Sequence, residues 1–313
     1  VNARRWSSHQ PNVTGAGLIA AYTARFWMLV VILGLVAGFS GAALILLLRG
    51  IERLAFGNHG HTLLEVARAA PGWRHVVVLV LAALIVIAGL RVLGRLPTGG
   101  TEVSEALWLR RGRLVFIPSV ARGILSIVTV GMGVSLGREA APQLVGAATA
   151  SRLADWADLP IWQRRLLVAS GAGAGFAAVY NVPLGGTLLA LEVMLGTLAL
   201  PLVLPALVTA VIATAVAWIG LGTGPTYNVS AYALHPTQLV WAAVLGPVIG
   251  LAASGWTRLI HATNRRRPRA GGWTWSPLLV FAALGLLSIP YPQLLGNGRD
   301  IVEVAVLGKV SLG

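Results

Sequence analysis

Long runs of apolar sequence, almost free of charge, constrain this chain more than any other feature. They cover residues 26–48, 76–96, 114–136, 202–221, 237–260 and 277–291. A helix needs about 20 mostly apolar residues to cross a hydrocarbon core about 30 Å thick. These runs therefore predict an all-α polytopic membrane protein. Residues 140–154, 166–180 and 183–200 are also apolar, but short and interrupted by Gly, Pro or charge. They predict helices that are tilted or that stop inside the membrane. Irregular backbone at that depth survives only where protein buries it or where it lines a cavity. Broken segments thus point to a pathway through the molecule.

Composition excludes several alternatives. With 56% hydrophobic and 11% charged residues, the chain is the reverse of a disordered one. Without Cys it is neither a disulfide scaffold nor a zinc-finger or iron–sulfur protein. The net charge of +14 comes from Arg, since Lys309 is the sole Lys. So few polar residues cannot make a nucleic-acid-binding surface, so no nucleic-acid partner is expected. The excess reads as positive-inside loops and lipid-headgroup contacts.

The run Arg265-Arg266-Arg267-Pro268-Arg269 is expected to be cytoplasmic, with Arg110, Arg111, Arg113, Arg164 and Arg165. Arg49, Arg53, Arg68 and Arg74 flank the connection between the first two spans and weaken that asymmetry. Residues 1–16 read as a polar tail rather than a signal peptide, because no small-residue cleavage pattern follows. Residues 17–313 read as one transmembrane domain.

Polar groups inside apolar sequence carry the most information, because an ionisable residue within a span is costly. Pro97-Thr98-Gly99-Gly100-Thr101-Glu102 breaks the helix after the second span. Thr98 is a candidate N-cap for a short helix beginning near Thr101 or Glu102. Its hydroxyl and the neighbouring backbone N–H groups are candidates to face an anion.

Gly137-Arg138-Glu139-Ala140-Ala141-Pro142 punctuates a new helix start. Helix N-termini attract anions through free N–H groups and about half a positive charge. A carboxylate there can occupy an anion site, or leave it when protonated, and so act as a gate. The structural alternative is a Glu139 that satisfies its own helix terminus with Arg138 as ion-pair partner. Tyr180-Asn181-Val182-Pro183 reads as an N-cap before a Pro-initiated helix that carries Glu192. Glu192 is either a buried structural carboxylate or a functional one.

Gly171, Gly173 and Gly175 read as packing positions on one helix face or its neighbour. A phosphate loop is excluded, since no strand precedes them and no Lys-Ser/Thr follows. An intramembrane serine hydrolase built on Ser170 and His261 is the rival from another class. Nothing in the sequence brings that pair within hydrogen-bond reach. His59 and His61 lack a third metal ligand, so no metal site is expected.

In these three places the chain resembles the CLC family of chloride channels and chloride/proton antiporters. Gly137-Arg138-Glu139 matches the family's GREGP, with Ala140 and Ala141 in place of Gly-Pro. Gly171 through Met194 resembles a small-residue helix running into Asn-x-Pro-Leu-x-Gly and an acidic helix. Pro97 to Glu102 matches GSGIP-E loosely, and the order and spacing of all three agree.

The resemblance implies an inverted-repeat fold of broken, tilted helices and one pore per subunit of a homodimer. Residues 183–200 and 202–221 would form part of the dimer interface. Glu139 is similar to the gating glutamate, and Thr98 falls at the central anion-coordinating serine. Backbone groups of Gly99, Gly100, Gly137, Arg138 and Ala140 would line the anion path. Val193 aligns with the internal proton-relay glutamate of coupled members, which favours a channel; a shift of one residue would make Glu192 the relay.

Fluoride/proton exchange is the family's other variant. No cofactor is implied, and chloride would be the transported ligand in a bacterial inner membrane. The later GxFxP segment and the coordinating tyrosine have no match, and no nucleotide-binding regulatory domain follows Gly313. The resemblance thus implies a fragment or truncated product covering the first two-thirds of a membrane domain, with an incomplete second repeat. An inactive remnant is the corresponding alternative.

Overall fold

A computed structural model describes residues 22–57, 62–96, 102–227, 235–265 and 275–307. Among these residues the regular structure is helical throughout. The order is α1 (Ala24–Phe56), α2 (Leu63–Ala69), α3 (Gly72–Leu93), α4 (Val103–Leu109), α5 (Phe116–Gly131), α6 (Ala140–Trp156) and α7 (Ile161–Tyr180). After α8 (Pro183–Leu188) comes a π-helical turn (Leu189–Leu195). Then follow α9 (Leu200–Leu221), α10 (Pro236–Arg265), α11 (Ser276–Leu287), a 3₁₀ turn (Pro292–Leu294) and α12 (Arg299–Val306).

Helix α7 is the centre of the molecule. It packs against α1, α6, α8 and α9, and buries Gln163 through Gly175 without interruption. Small residues permit this. A Cβ on Gly171 would run into the backbone of Gly146 on α6, and one on Gly175 into the carbonyl of Pro142. Gly173 meets Gly186 of α8 instead. The three glycines therefore serve two opposed faces, as a two-residue step of about 200° on a helix requires. Between α1 and α9 the approach is also close: a Cβ at Gly38 would lie 2.6 Å from the Ala213 carbonyl oxygen. Lipid supplies no hydrophobic drive to join helices, so close backbone packing has to do it.

Four of the described helices are long and apolar enough to cross a membrane: α1, α3, α9 and α10. Two of the six runs expected to span fall short: 114–136 forms the 16-residue α5, which ends at Gly131 before an irregular segment, and 277–291 forms the 12-residue α11, which ends at Leu287. Helix α10 stands apart, with none of its described side chains buried.

Two rims of arginine mark the ends of the bundle. At the start of α1, Arg25 lies over the Trp156 ring and Tyr22 packs against Trp162. Arg113 and Arg164 both reach Asp155 there, and Arg110 reaches Glu105. At the end of α1 stand Arg49 and Arg53. Arg25 and Arg49 are about 36 Å apart at 1.5 Å per residue, close to the span of a bilayer.

Two caps differ from the sequence expectation. Asn181 does not start α8. It closes α7 in the left-handed conformation (φ 57, ψ 42), and Val182 precedes α8. Asn tolerates that conformation better than most residues. Its side chain is engaged elsewhere, accepting from Trp218 Nε1 at 2.8 Å and donating to the Thr223 and Gly224 carbonyls. Helix α4 begins at Val103 with Glu102 at its N-cap, and Thr98, the expected cap, lies outside the described residues.

Candidate functional site

The candidate gate is built by a loop and a helix start. Helix α5 ends at Gly131, and Gly133 turns the chain at φ +90, a conformation that favours glycine. Residues 132–139 are irregular, and α6 begins at Ala140 with Glu139 at its N-cap. Pro142 has no N–H to leave unpaired in this first turn. The Ala140 and Ala141 N–H groups lack intrahelical partners by helix geometry, and the dipole makes this end electropositive.

The Glu139 carboxylate does not cap its own helix. It accepts a hydrogen bond from the Tyr180 hydroxyl at the end of α7. Its other oxygen folds back over Gly137, where a Cβ would overlap it. Gly137 therefore gives the carboxylate a place to lie. Arg138 does not ion-pair with Glu139. Its guanidinium sits 4.9 Å from the centre of the Tyr180 ring, and the residue is 7% exposed. The carboxylate is thus held by a neutral hydroxyl 41 residues away.

Two adjoining cavities share Arg49, Arg138 and Arg299. The larger, about 330 Å³, is also lined by Glu52, Arg53 and Asp300. The smaller, about 140 Å³, runs towards Asn181 and Trp218. Residues 296–300 are tied to the walls of this region by two hydrogen bonds. Gly296 N–H donates to the Gly133 carbonyl at 3.0 Å, and Leu64 N–H at the start of α2 donates to Asp300 at 3.0 Å. Arg49, Arg299 and Tyr180 stand in no motif of the sequence that points to this site. The one available signal was the basic residues around the first connection, which run against the positive-inside pattern.

The other expected residues scatter. Thr98, Gly99 and Gly100 lie outside the described residues, as do His59 and His61. Glu192 sits on the π-helical turn and is exposed, so it is not a buried structural carboxylate. Neighbouring Val193 is 65% exposed. The π turn was not foreseen; such insertions often mark functional stretches of a helix. Ser170 is sealed within α7, and its hydroxyl has no hydrogen-bond partner. His261 lies exposed on α10, so the hydrolase pair is not assembled.

The family model described as voltage gated chloride channel matches residues 83–313. The chain belongs to the CLC family. It is 31% identical over 283 residues to the voltage-gated ClC-type chloride channel ClcB of Shigella boydii, and equally to that of Escherichia coli K12. Each match covers 86% of this chain and 64% of the relative, so the chain spans less than two-thirds of these relatives' length.

The fold is shared with solved CLC proteins. A slow cyanobacterial Cl⁻/H⁺ antiporter superposes with a TM-score of 0.73 at 21% identity, over 90% of this chain and 68% of that one. A CLC-type fluoride/proton antiporter gives 0.70, also at 21% identity, over 91% and 70%. CLC proteins are transporters rather than enzymes. With its spanning helices and bacterial relatives, the chain is an integral protein of the bacterial inner membrane.

Proposed function

We propose that this protein moves chloride through the bilayer as a CLC-type channel, with Glu139 as a pH-sensitive gate. The observation that carries this reading is a carboxylate at a helix N-terminus that leaves its own helix uncapped. Chloride competes for the N–H groups at the start of α6 and for the Thr98 hydroxyl, with Gly99, Gly100, Gly137 and Arg138 lining the approach. Binding by dipoles rather than by a buried ammonium keeps affinity moderate, which conduction needs. Protonation removes the carboxylate's charge and weakens its competition with the anion. The Tyr180 hydroxyl holds the ionised form in place.

Support for a channel comes from Val193 at the relay position and from the channel names of the relatives. Proton-coupled exchange of chloride or fluoride is the second reading. It is favoured by the carboxylate of Glu192 at the surface of the subunit and by the antiporter titles of both structural neighbours. The exposed Leu184, Leu188, Leu200 and Leu204 of α8 and α9 supply an apolar face for a homodimer. Chloride efflux from liposomes containing the purified protein tests the gate. Efflux is expected to rise as pH falls, and Glu139→Gln is expected to remove that dependence. An unchanged pH response in Glu139→Gln overturns the assignment.

A further inference from the structure

The larger cavity beside the gate has a chemistry that halide passage does not require. Arg49 and Arg53 from α1, Arg138 from the gate loop and Arg299 from α12 all line it. Among the described residues none of these four makes an ion pair. Both Arg138 and Arg299 line the cavity, and the Nε of each is buried without a hydrogen-bond partner. Arg138 as a whole is 7% exposed. A buried donor without an acceptor costs free energy, so a ligand that supplies acceptors is favoured there.

Charge selects the ligand further. Four guanidiniums face Glu52 and Asp300, which leaves two positive charges in excess. Asp300 already accepts from the α2 N-terminus. Guanidinium forks match the oxygens of phosphate-like groups through paired N–H···O bonds, whereas a spherical halide gains little from that geometry. The volume of about 330 Å³ accommodates a polyatomic ion with attendant water.

We propose that this cavity is a binding site for a divalent tetrahedral oxyanion of the sulfate or hydrogen-phosphate class. The cavity adjoins Arg138, the residue next to Glu139, so an occupied site stands at the approach to the gate. Binding itself needs no transport, and only the consequence for chloride passage rests on the reading of Glu139.

The test uses radiolabelled sulfate and the purified chain in phosphatidylcholine nanodiscs, at fixed ionic strength. Saturable binding of one sulfate per chain is expected, displaced by phosphate far more readily than by chloride. The Arg49→Gln/Arg299→Gln double variant is expected to weaken binding at least ten-fold. Arg49→Lys/Arg299→Lys keeps the charges and the fold and is expected to retain part of the affinity. Arg111→Gln, on the opposite rim, is expected to leave it unchanged. Absence of saturable sulfate binding overturns the proposal. So does an unchanged affinity in the double Gln variant, or an equal loss in Arg111→Gln.

Discussion

The two arginine rims carry similar residues in different states. On the rim where α1 begins, Arg164 meets Asp155 at 2.9 Å and Arg110 meets Glu105 at 2.9 Å. These charges are spent on holding the connections between α4 and α5 and between α6 and α7. On the rim where α1 ends, Arg49, Arg53, Arg138 and Arg299 surround a cavity without forming ion pairs among the described residues. At the first rim Arg110, Arg113 and Arg164 each meet a carboxylate, while Arg111 makes no ion pair among the described residues. Unpaired arginines at the second remain available to an anion, and there the candidate gate lies. Residue type alone does not separate these roles; the position of the carboxylates does.

The largest expected effect breaks the gate rim. Glu139→Gln should bring the ratio of chloride efflux at acid and neutral pH to about one, read in liposomes. A ratio like that of the unmodified protein would detach the rim from gating.

Core packing gives the next largest effect and bears on both rims, because α7 joins them. Gly171→Ala forces a methyl into the α6 backbone and should cost about 1–3 kcal/mol, seen as a lower melting temperature in detergent. Gly250→Ala on α10, where a Cβ meets nothing within 4 Å, should not lower it.

The rims themselves are compared by removing one charge from each. Asp155→Asn leaves buried Arg164, 5% exposed, without its ion pair, and should cost about 1–3 kcal/mol. Exposed Arg53, on the gate rim, loses no ion pair as Gln and should change stability by no more than about 0.5 kcal/mol. Equal melting temperatures for the two variants would erase the distinction.

The smallest effect sharpens the gate alone. Tyr180→Phe removes one hydrogen bond worth about 1 kcal/mol, and should raise neutral-pH efflux about five-fold while keeping its pH dependence. A loss of pH dependence instead would mean that the hydrogen bond from Tyr180 is needed for the carboxylate to gate at all.

Much of the fold was legible because bilayer physics is one-dimensional. The length of an apolar run sets a span, and Gly and Pro interrupt it. The short α6 and α8 follow from those interruptions, whereas α5 ends at Gly131, five residues before its apolar run does. The helix start after Glu139 was legible too, since Gly137 and Pro142 bracket it. Local caps read less well. Asn181 suits both the end of one helix and the start of the next, and only its bonds to Trp218, Thr223 and Gly224 choose between them. The π turn left no mark in the apolar pattern around Glu192.

By itself, the sequence determined a polytopic helical protein, its breaks and the motifs that place it in the CLC family. These depend on local composition and spacing, which a chain carries wherever it folds. Tertiary structure decided which groups meet. Tyr180 reaches Glu139 across 41 residues, and Asp300 reaches Leu64 across 236. It also decided which arginines meet a carboxylate within 4 Å and which do not, because Coulomb energy depends on distance in space and not on separation along the chain.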